Sequence, residues 1–348
     1  MIFNDIHKTK SIQMERFPEN ELKKLLDELG KRPPITIITH FNPDGDAIGS
    51  SMALKLYLEK LGFSVDCLFP SPFPPYYNWI PRVAEAKVYT EKDKQSFETY
   101  FSADRLIFCL DFNHPSRVNQ LSEFLTNSKA KKILIDHHEE PSSNFDMCFS
   151  YPGSSSTCEL IYDFMMRYDT SALDKDIASC LYTGLLTDTG GFQFSSTHPS
   201  TLHMAANLME KGINATEIYN LAFNNFSLNR LKLFGHCISN NMKIVEDKKL
   251  AYMWIDRRTK TKFDIQDGDT EGLVNYPMKV LDIEVSVLFK QDYDKIRISF
   301  RSKNDVDVNK IARQYFNGGG HINAAGGMSK QSLDETLAYF ESLIPTIF

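Results

Sequence analysis

His40-Phe41-Asn42-Pro43-Asp44-Gly45-Asp46 follows directly on the apolar run Ile35-Thr36-Ile37-Ile38-Thr39. The run reads as a short buried strand. The Asn-Pro-Asp-Gly turn breaks it, and a helical pattern opens at about Ala47. One imidazole and two carboxylates are thus crowded into seven residues at the carboxyl end of a strand. That is where open α/β sheets bind ligands. Such groups repel one another or lose solvation unless something positive holds them, and a divalent metal is the simplest answer.

Two further apolar runs end in the same way. Leu106-Ile107-Phe108-Cys109-Leu110 stops on Asp111, and Lys132-Ile133-Leu134-Ile135 stops on Asp136-His137-His138. Chance would scatter Asp and His along the strands instead of collecting them at three carboxyl ends. A helix expected over 176–186 runs into Thr187-Asp188-Thr189-Gly190-Gly191, leaving Asp188 at its C-terminal end. A carboxylate there opposes the helix dipole unless a cation compensates it.

Around these ends the pattern alternates between strand and helix. Helices are expected over 19–29, 47–61, 157–168, 200–210, 214–223 and 228–242, with a further strand over 63–69. The 47–61 helix opens with Ala47, Gly49, Ser50, Ser51 and Ala53, small enough for close approach to a sheet or ligand. Ser156 and Glu159 form a capping box at the start of the 157–168 helix, and Ser155 and Ser156 are secondary phosphate candidates there. Residues 70–81 carry five prolines with Tyr76, Tyr77 and Trp79, an ordered loop whose rings either stack on a base or cover the core.

Beyond a connecting helix at 228–242 come strands over 250–255, 283–289 and 295–301, a helix over 307–316, a glycine-rich stretch and a final helix over 331–343. The fold class is α/β. A mostly parallel N-terminal sheet flanked by helices (1–225) is joined by a helical linker to a smaller α/β domain (226–348).

The totals fit this plan. At 348 residues the chain is long enough for two cores, and 42% hydrophobic with 24% charged residues is ordinary for a globular protein. A net charge of −6 argues against indiscriminate binding to long nucleic acid. Between Lys295 and His321, however, six Lys or Arg face two Asp, which is either a solvated strand face or a substrate-binding field. No apolar run approaches the ~20 residues of a membrane span. Met1-Ile2-Phe3-Asn4-Asp5 lacks the plan of a secretory signal, so a cytoplasmic location is expected. The six cysteines show neither zinc spacing nor a C-x-x-C pair and read as free thiols.

His40-x-x-x-Asp44-x-Asp46, Asp111, Asp136-His137-His138 and Asp188 in Thr-Asp-Thr-Gly resemble, in order and setting, the four motifs of the DHH phosphoesterases. Gly318-Gly319-Gly320-His321-x-x-Ala-Ala-Gly resembles the nucleotide-binding signature of the DHH-associated C-terminal domain. The nearest branch is the nanoRNase/pAp-phosphatase group. The resemblance implies two Mn²⁺ ions, with Mg²⁺ or Co²⁺ also suited to the donor set. His40, Asp44 and Asp111 would hold one, and Asp46, Asp111, His137 and Asp188 the other. Asp111 would bridge them, and water would be activated between the metals. It implies that His138 contacts phosphate or supports the ligands and that Asp136 orients the site. It also implies that Arg301, Ser302, Lys303, Gly318, Gly319, Gly320 and His321 grip a terminal phosphate or base. Taken alone, the triple glycine could equally be a turn.

There are two departures from the family pattern. Gln193 stands where many relatives have an arginine nearby, and Asn119 replaces a common glycine after Arg117-Val118. The expected substrates are very short RNA and 3′-phosphoadenosine 5′-phosphate (pAp). Cyclic or linear dinucleotides, and then pyrophosphate or polyphosphate, are the alternatives. No membrane or long duplex partner is expected, and the sequence leaves a homodimer open.

Overall fold

The computed structural model describes residues 16–266 and 268–348, so the expectation drawn from Met1–Asp5 lies outside the described residues. The chain divides into two compact units, the first ending at Asn225 and the second beginning at Phe226.

In chain order the first unit contains α1 (Glu19–Gly30), β1 (Ile35–Thr39), α2 (Gly45–Lys60), β2 (Val65–Phe69), β3 (Lys87–Val88), α3 (Lys94–Phe97) and β4 (Leu106–Leu110). It continues with α4 (Ser122–Asn127), β5 (Lys131–Asp136), β6 (Met147–Ser150), α5 (Thr157–Tyr168), α6 (Lys175–Asp188), α7 (Pro199–Glu210) and α8 (Ala215–Phe223). Its six strands form one sheet in the order β3-β2-β1-β4-β5-β6, and every pairing is parallel. The order reverses between β1 and β4, which are neighbours but lie on either side of β2 and β3 in sequence. At such a switch point the connections leave in opposite directions and open a crevice at the carboxyl ends of the two strands. His40 and Asp111 immediately follow those ends.

Alternation along the strands explains why they read as unbroken apolar runs. Ile35, Ile37, Phe108, Leu110, Ile133 and Ile135 enter the core shared with α2, α5 and α6. Ile38, Ile107, Cys109 and Leu134 enter a second core on the opposite face, with Phe97, Leu121 and Leu125. Both faces are covered, as parallel sheets require.

Helix α2 is buried from Gly45 to Leu58 on all sides. Its small residues admit α6: a Cβ on Gly49 would stand 2.5 Å from the Cys180 carbonyl oxygen. The helix starts two residues earlier than the pattern suggests. Asp44 is its N-cap, accepting from the Asp46 and Ala47 amides at 3.1 Å each, and this caps a turn that already contains Gly45 and Asp46. The 70–81 loop turns inward. Tyr77 is buried, and Phe73, Tyr76 and Trp79 pack against the first core, which favours the covering role over base stacking. Asn119, standing in place of a glycine, has φ 49° and ψ −118°, a conformation natural to glycine that costs an asparagine about 1–3 kcal/mol.

The second unit contains α9 (Leu228–Asn240), β7 (Met242–Val245), β8 (Leu250–Ile255), α10 (Arg257–Lys262), β9 (Val285–Gln291), β10 (Ile296–Ser302), α11 (Val308–Tyr315), β11 (Gly319–His321), β12 (Ala324–Ser329) and α12 (Leu333–Ile347). Its sheet has the order β11-β12-β10-β9-β8-β7. The helix read as a connector is built into this unit, burying Leu233, Phe234 and Cys237 with Met253, Ile255 and Leu288. The glycine-rich stretch is an antiparallel hairpin, β11 to β12, turned by Ile322 and Asn323. Its glycines hide the strand pattern from any hydrophobic periodicity.

Candidate metal centre

Six of the residues singled out above come together at the switch point. Their donor atoms form two groups, His40 with Asp44 and Asp111, and Asp46 with His137 and Asp188, while Asp111 and His137 form a third with His138. Within each group all atoms lie within 4.8 Å of one another. Asp111 stands between them. Its Oδ2 is 3.5 Å from His40 Nε2, and its Oδ1 is 3.5 Å from His137 Nε2. His137 Nε2 is also 3.1 Å from Asp188 Oδ2 and 4.0 Å from Asp46 Oδ2. Asp111 has φ +63°, in the left-handed region that Asp and Asn enter more easily than other non-glycine residues.

Each side chain is aimed by its surroundings. His40 Nδ1 lies 3.0 Å from the Phe41 carbonyl and His137 Nδ1 3.4 Å from that of Ser154, which turns both Nε2 atoms into the site. Asp46 accepts from two amides at the start of α5, Thr157 N at 2.7 Å and Cys158 N at 2.9 Å. The Thr157 hydroxyl donates to Asp111 Oδ1 at 3.0 Å. His138 Nδ1 pairs with Asp136 Oδ1 at 2.7 Å, which fixes the ring with Nδ1 committed to a carboxylate. Asp136 itself is fully buried, and among the described residues its Oδ2 has no hydrogen-bond partner.

The capping box at α5 is only half formed. Ser156 Oγ accepts from Glu159 N, but the Glu159 carboxylate reaches Ser155 N at 3.0 Å and Ser155 Oγ at 2.6 Å. Arg16 neutralises that carboxylate at 2.9 Å. Ser155 is therefore engaged within the protein and is not poised to receive phosphate. Thr157, Glu159, Arg16 and Gly184 carry no local sequence signal for this site. A Cβ on Gly184 would fall 2.3 Å from Cys158 Sγ and 2.7 Å from Asp46 Oδ1.

The residues fit divalent cations. Asp46 and Asp111 are buried, and Asp188 faces them. Among the described residues no Lys or Arg pairs with Asp44, Asp46, Asp111, Asp136 or Asp188. Carboxylate and imidazole donors without thiolate suit Mn²⁺, Mg²⁺ or Co²⁺ better than soft ions. Burial, then the Asp111 charge, pushes Asp46 up to about 7. Burial and the neighbouring carboxylates also raise Asp188 well above its ordinary range. Burial works against a charged His40, but Asp111 and Asp44 outweigh it and lift the ring to about 10. His137 rises in the same way, against burial, through Asp111 and Asp46.

The sign of the pH dependence follows from these shifts. Raised folded-state values mean that the metal-free fold gains from bound protons at low pH. The share from Asp46 is lost as pH rises through about 7, and that from His40 as pH rises through about 10. Cations compete with the same protons. Metal-free protein is therefore expected to melt at a lower temperature at pH 8 than at pH 6, and Mn²⁺ to raise the midpoint more at pH 8. Thermal unfolding with Mn²⁺ and with a chelator measures both. A metal-induced shift equal at the two pH values would contradict the assignment.

In the second unit, Arg301 on β10 and His321 on β11 both stand opposite Ala324 of β12. Directly opposed residues share a face, so the guanidinium and the imidazole lie on one face of the sheet, two strands apart, with only a methyl group between them. Among the described residues no carboxylate pairs with Arg301, which donates to the Phe300 carbonyl at 2.9 Å, and burial lowers its pKa. Ser302 and Lys303 are not part of that pair. The Ser302 hydroxyl donates to Val306 O at 2.6 Å and accepts from Asn323 Nδ2 at 2.9 Å, and Lys303 Nζ donates to Val280 O at 3.0 Å. The three glycines also differ. A Cβ on Gly318 would lie 1.9 Å from the Gly326 carbonyl oxygen and one on Gly320 2.4 Å from that of Ala324, so both serve hairpin closure. Gly319 has side-chain neighbours no nearer than 3.7 Å and is the one with room around it.

The chain is similar to known proteins over most of its length. Residues 34–185 match the DHH family, N-terminal domain, and residues 247–345 match the DHHA1 domain. A Bacillus subtilis protein named bifunctional oligoribonuclease and PAP phosphatase NrnA is 30% identical over 318 residues, covering 89% of this chain and 94% of the relative. Its namesake from Thermus thermophilus is 30% identical over 311 residues, covering 88% and 87%. The crystal structure of an exopolyphosphatase-related protein from Bacteroides fragilis superposes with a TM-score of 0.90 at 33% identity, covering 94% of this chain and 96% of that one.

Proposed function

The chain belongs to the DHH family, with a DHHA1 domain behind the DHH domain, and from that premise we propose that it hydrolyses short oligoribonucleotides and pAp with two divalent cations, manganese foremost. Membership makes it a hydrolytic phosphoesterase. The observation that most supports the choice of substrate is similarity over nearly the full length of both chains to two relatives named for those activities. Six free cysteines, five of them buried, fit a reducing compartment, and we place the protein in the cytoplasm.

In this reading His40, Asp44 and Asp111 would hold one cation, and Asp46, Asp111, His137 and Asp188 the other. When bound, the cations would supply Lewis-acid polarisation of a phosphoryl oxygen and a lowered pKa for water. The chain's own part is to orient and to exclude. The carbonyls behind His40 and His137 select their tautomers. Asp136 holds Nδ1 of His138, and we assign His138 to contact with a phosphoryl oxygen or the departing oxygen. In the second unit Arg301 and His321 are the groups we assign to a terminal phosphate or base, with Gly319 as the approachable backbone.

The test is turnover with Mn²⁺ on pAp, two-to-five-nucleotide RNA, a cyclic dinucleotide, pyrophosphate and polyphosphate. The last is included because a closely superposing structure is named exopolyphosphatase-related. Preference for pAp and short RNA is expected, and polyphosphate as the best substrate would overturn the reading. His321→Ala separates recognition from chemistry. Losing a charge-assisted hydrogen bond should lower kcat/KM on pAp and short RNA by about 10–100-fold. Hydrolysis of bis(4-nitrophenyl) phosphate should stay within about threefold. Equal losses on both would remove the second unit from recognition.

A further inference from the structure

Thr157 is the first residue of α5 and is fully buried. Its amide donates to Asp46 Oδ2 at 2.7 Å and its hydroxyl to Asp111 Oδ1 at 3.0 Å. These carboxylates come from different elements, Asp46 from the first turn of α2 and Asp111 from the end of β4. Thr157 reaches both, one through its backbone amide and the other through its hydroxyl. Asp44 and Asp136 are fixed locally, Asp44 by the amides of the helix it caps and Asp136 by His138 two residues on.

The direction of the hydroxyl follows from its place in the helix. A threonine inside a helix turns its Oγ1 back onto the carbonyl four residues earlier. Thr183 does so onto Ser179, Thr187 onto Thr183 and Thr189 onto Leu185. At the first helical position the residue four back, Gly153, lies outside α5, so the hydroxyl can point sideways to Asp111. The consequence concerns which oxygen of Asp111 faces which group. Oδ2 faces His40 and Oδ1 faces His137, and the hydroxyl on Oδ1 resists rotation of the carboxylate.

We propose that Thr157 is a positioning residue that ties the shared carboxylate Asp111 to Asp46 and so sets the relation between the two cation sites. The inference rests on the two-cation reading. Residues in this role typically change metal affinity by about 10–100-fold when removed.

The experiment is calorimetric titration of MnCl₂ into metal-stripped full-length protein, with the metal-free melting temperature measured alongside. Thr157→Val keeps the branched shape and removes the hydroxyl, and Thr157→Ser does the reverse. Wild type is expected to take up two ions. Val should bind at least one of them about 10–100-fold more weakly, and Ser should stay within about threefold of wild type. Packing alone would give the opposite order, with Val near wild type and Ser weakened, and that order overturns the proposal. If Val does not fold, the Ser and Ala variants differ only in the hydroxyl. Ser tighter than Ala then supports the proposal, and equality overturns it. Wild-type protein that binds no Mn²⁺ overturns the two-cation reading and this inference with it. Two ions bound equally well by wild type and Val overturn only the role of Thr157.

Discussion

Asp111→Asn is expected to abolish turnover of every substrate, phosphomonoester and phosphodiester alike, while leaving the protein folded. Asparagine suits the left-handed backbone at this position better than alanine, so φ +63° brings no new strain. Its amide oxygen can still accept from the Thr157 hydroxyl. What disappears is the charge shared by the two donor groups and the second anionic oxygen. An amide cannot serve two cations, and losing several kcal/mol of transition-state stabilisation corresponds to about 10³–10⁴-fold in rate. The measurement is kcat/KM with Mn²⁺ on pAp and on a dinucleotide, beside circular dichroism of the same preparations. Activity within about tenfold of wild type would show that Asp111 does not join the two groups.

Gly184→Ala should damage the same centre from beneath. Gly184 lies in the second half of α6, with Cys158 of α5 and Asp46 of α2 packed against it. The new methyl would sit 2.3 Å from Cys158 Sγ, 2.7 Å from Asp46 Oδ1 and 2.9 Å from Asp46 Cα. Overpacking of this kind costs about 1–3 kcal/mol, or more when backbone must move. For a unit of this size that is a fall of roughly 2–12 °C in melting temperature. Because Asp46 is one of the crowded groups, Mn²⁺ uptake should fall as well, with activity lost beyond what the stability change explains. Adding Cys158→Ala removes the nearer obstruction. The double variant should recover part of the melting temperature and little of the metal binding, since the overlap with Asp46 remains. Melting curves with and without Mn²⁺ separate the two effects, and a single variant indistinguishable from wild type would contradict the close approach.

The elements that could be read from the sequence are those buried on both faces. Ile35–Thr39, Leu106–Leu110 and the strand through Ile133–Ile135 are continuous apolar runs because one set of side chains meets α2, α5 and α6 and the alternate set meets Phe97, Leu121 and Leu125. Their order in the sheet is not in the runs themselves. It follows from the connections, and the reversal between β1 and β4 is what turns three separate strand ends into one site. The clustering of His40, Asp44, Asp46, Asp111, His137 and Asp188 was legible because each sits at an element end, and a strand end is visible from its neighbours.

Thr157, Gly184 and Arg16 were illegible for the opposite reason. Their partners are 111 residues away for Thr157 and Asp46, and 143 for Arg16 and Glu159. No local spacing encodes such contacts. The strands β11 and β12 were hidden by glycine and alanine, which carry no alternation, and β3 by having only two residues. Ser302 shows how alternation separates neighbours in sequence. The family resemblance groups it with Arg301, and alternation along β10 turns it to the other face, where Val306 and Asn323 engage its hydroxyl.

In the two-cation reading, three strand ends and one helix end compose a centre for two divalent cations. Anomalous diffraction at the manganese edge, from crystals of the wild-type protein grown with Mn²⁺, tests it directly. Two peaks are expected in the first unit, one in ligand distance of His40, Asp44 and Asp111, the other of Asp46, Asp111, His137 and Asp188. A single peak, or peaks that leave Asp111 outside ligand distance of one ion, in crystals of protein that hydrolyses pAp, would contradict it.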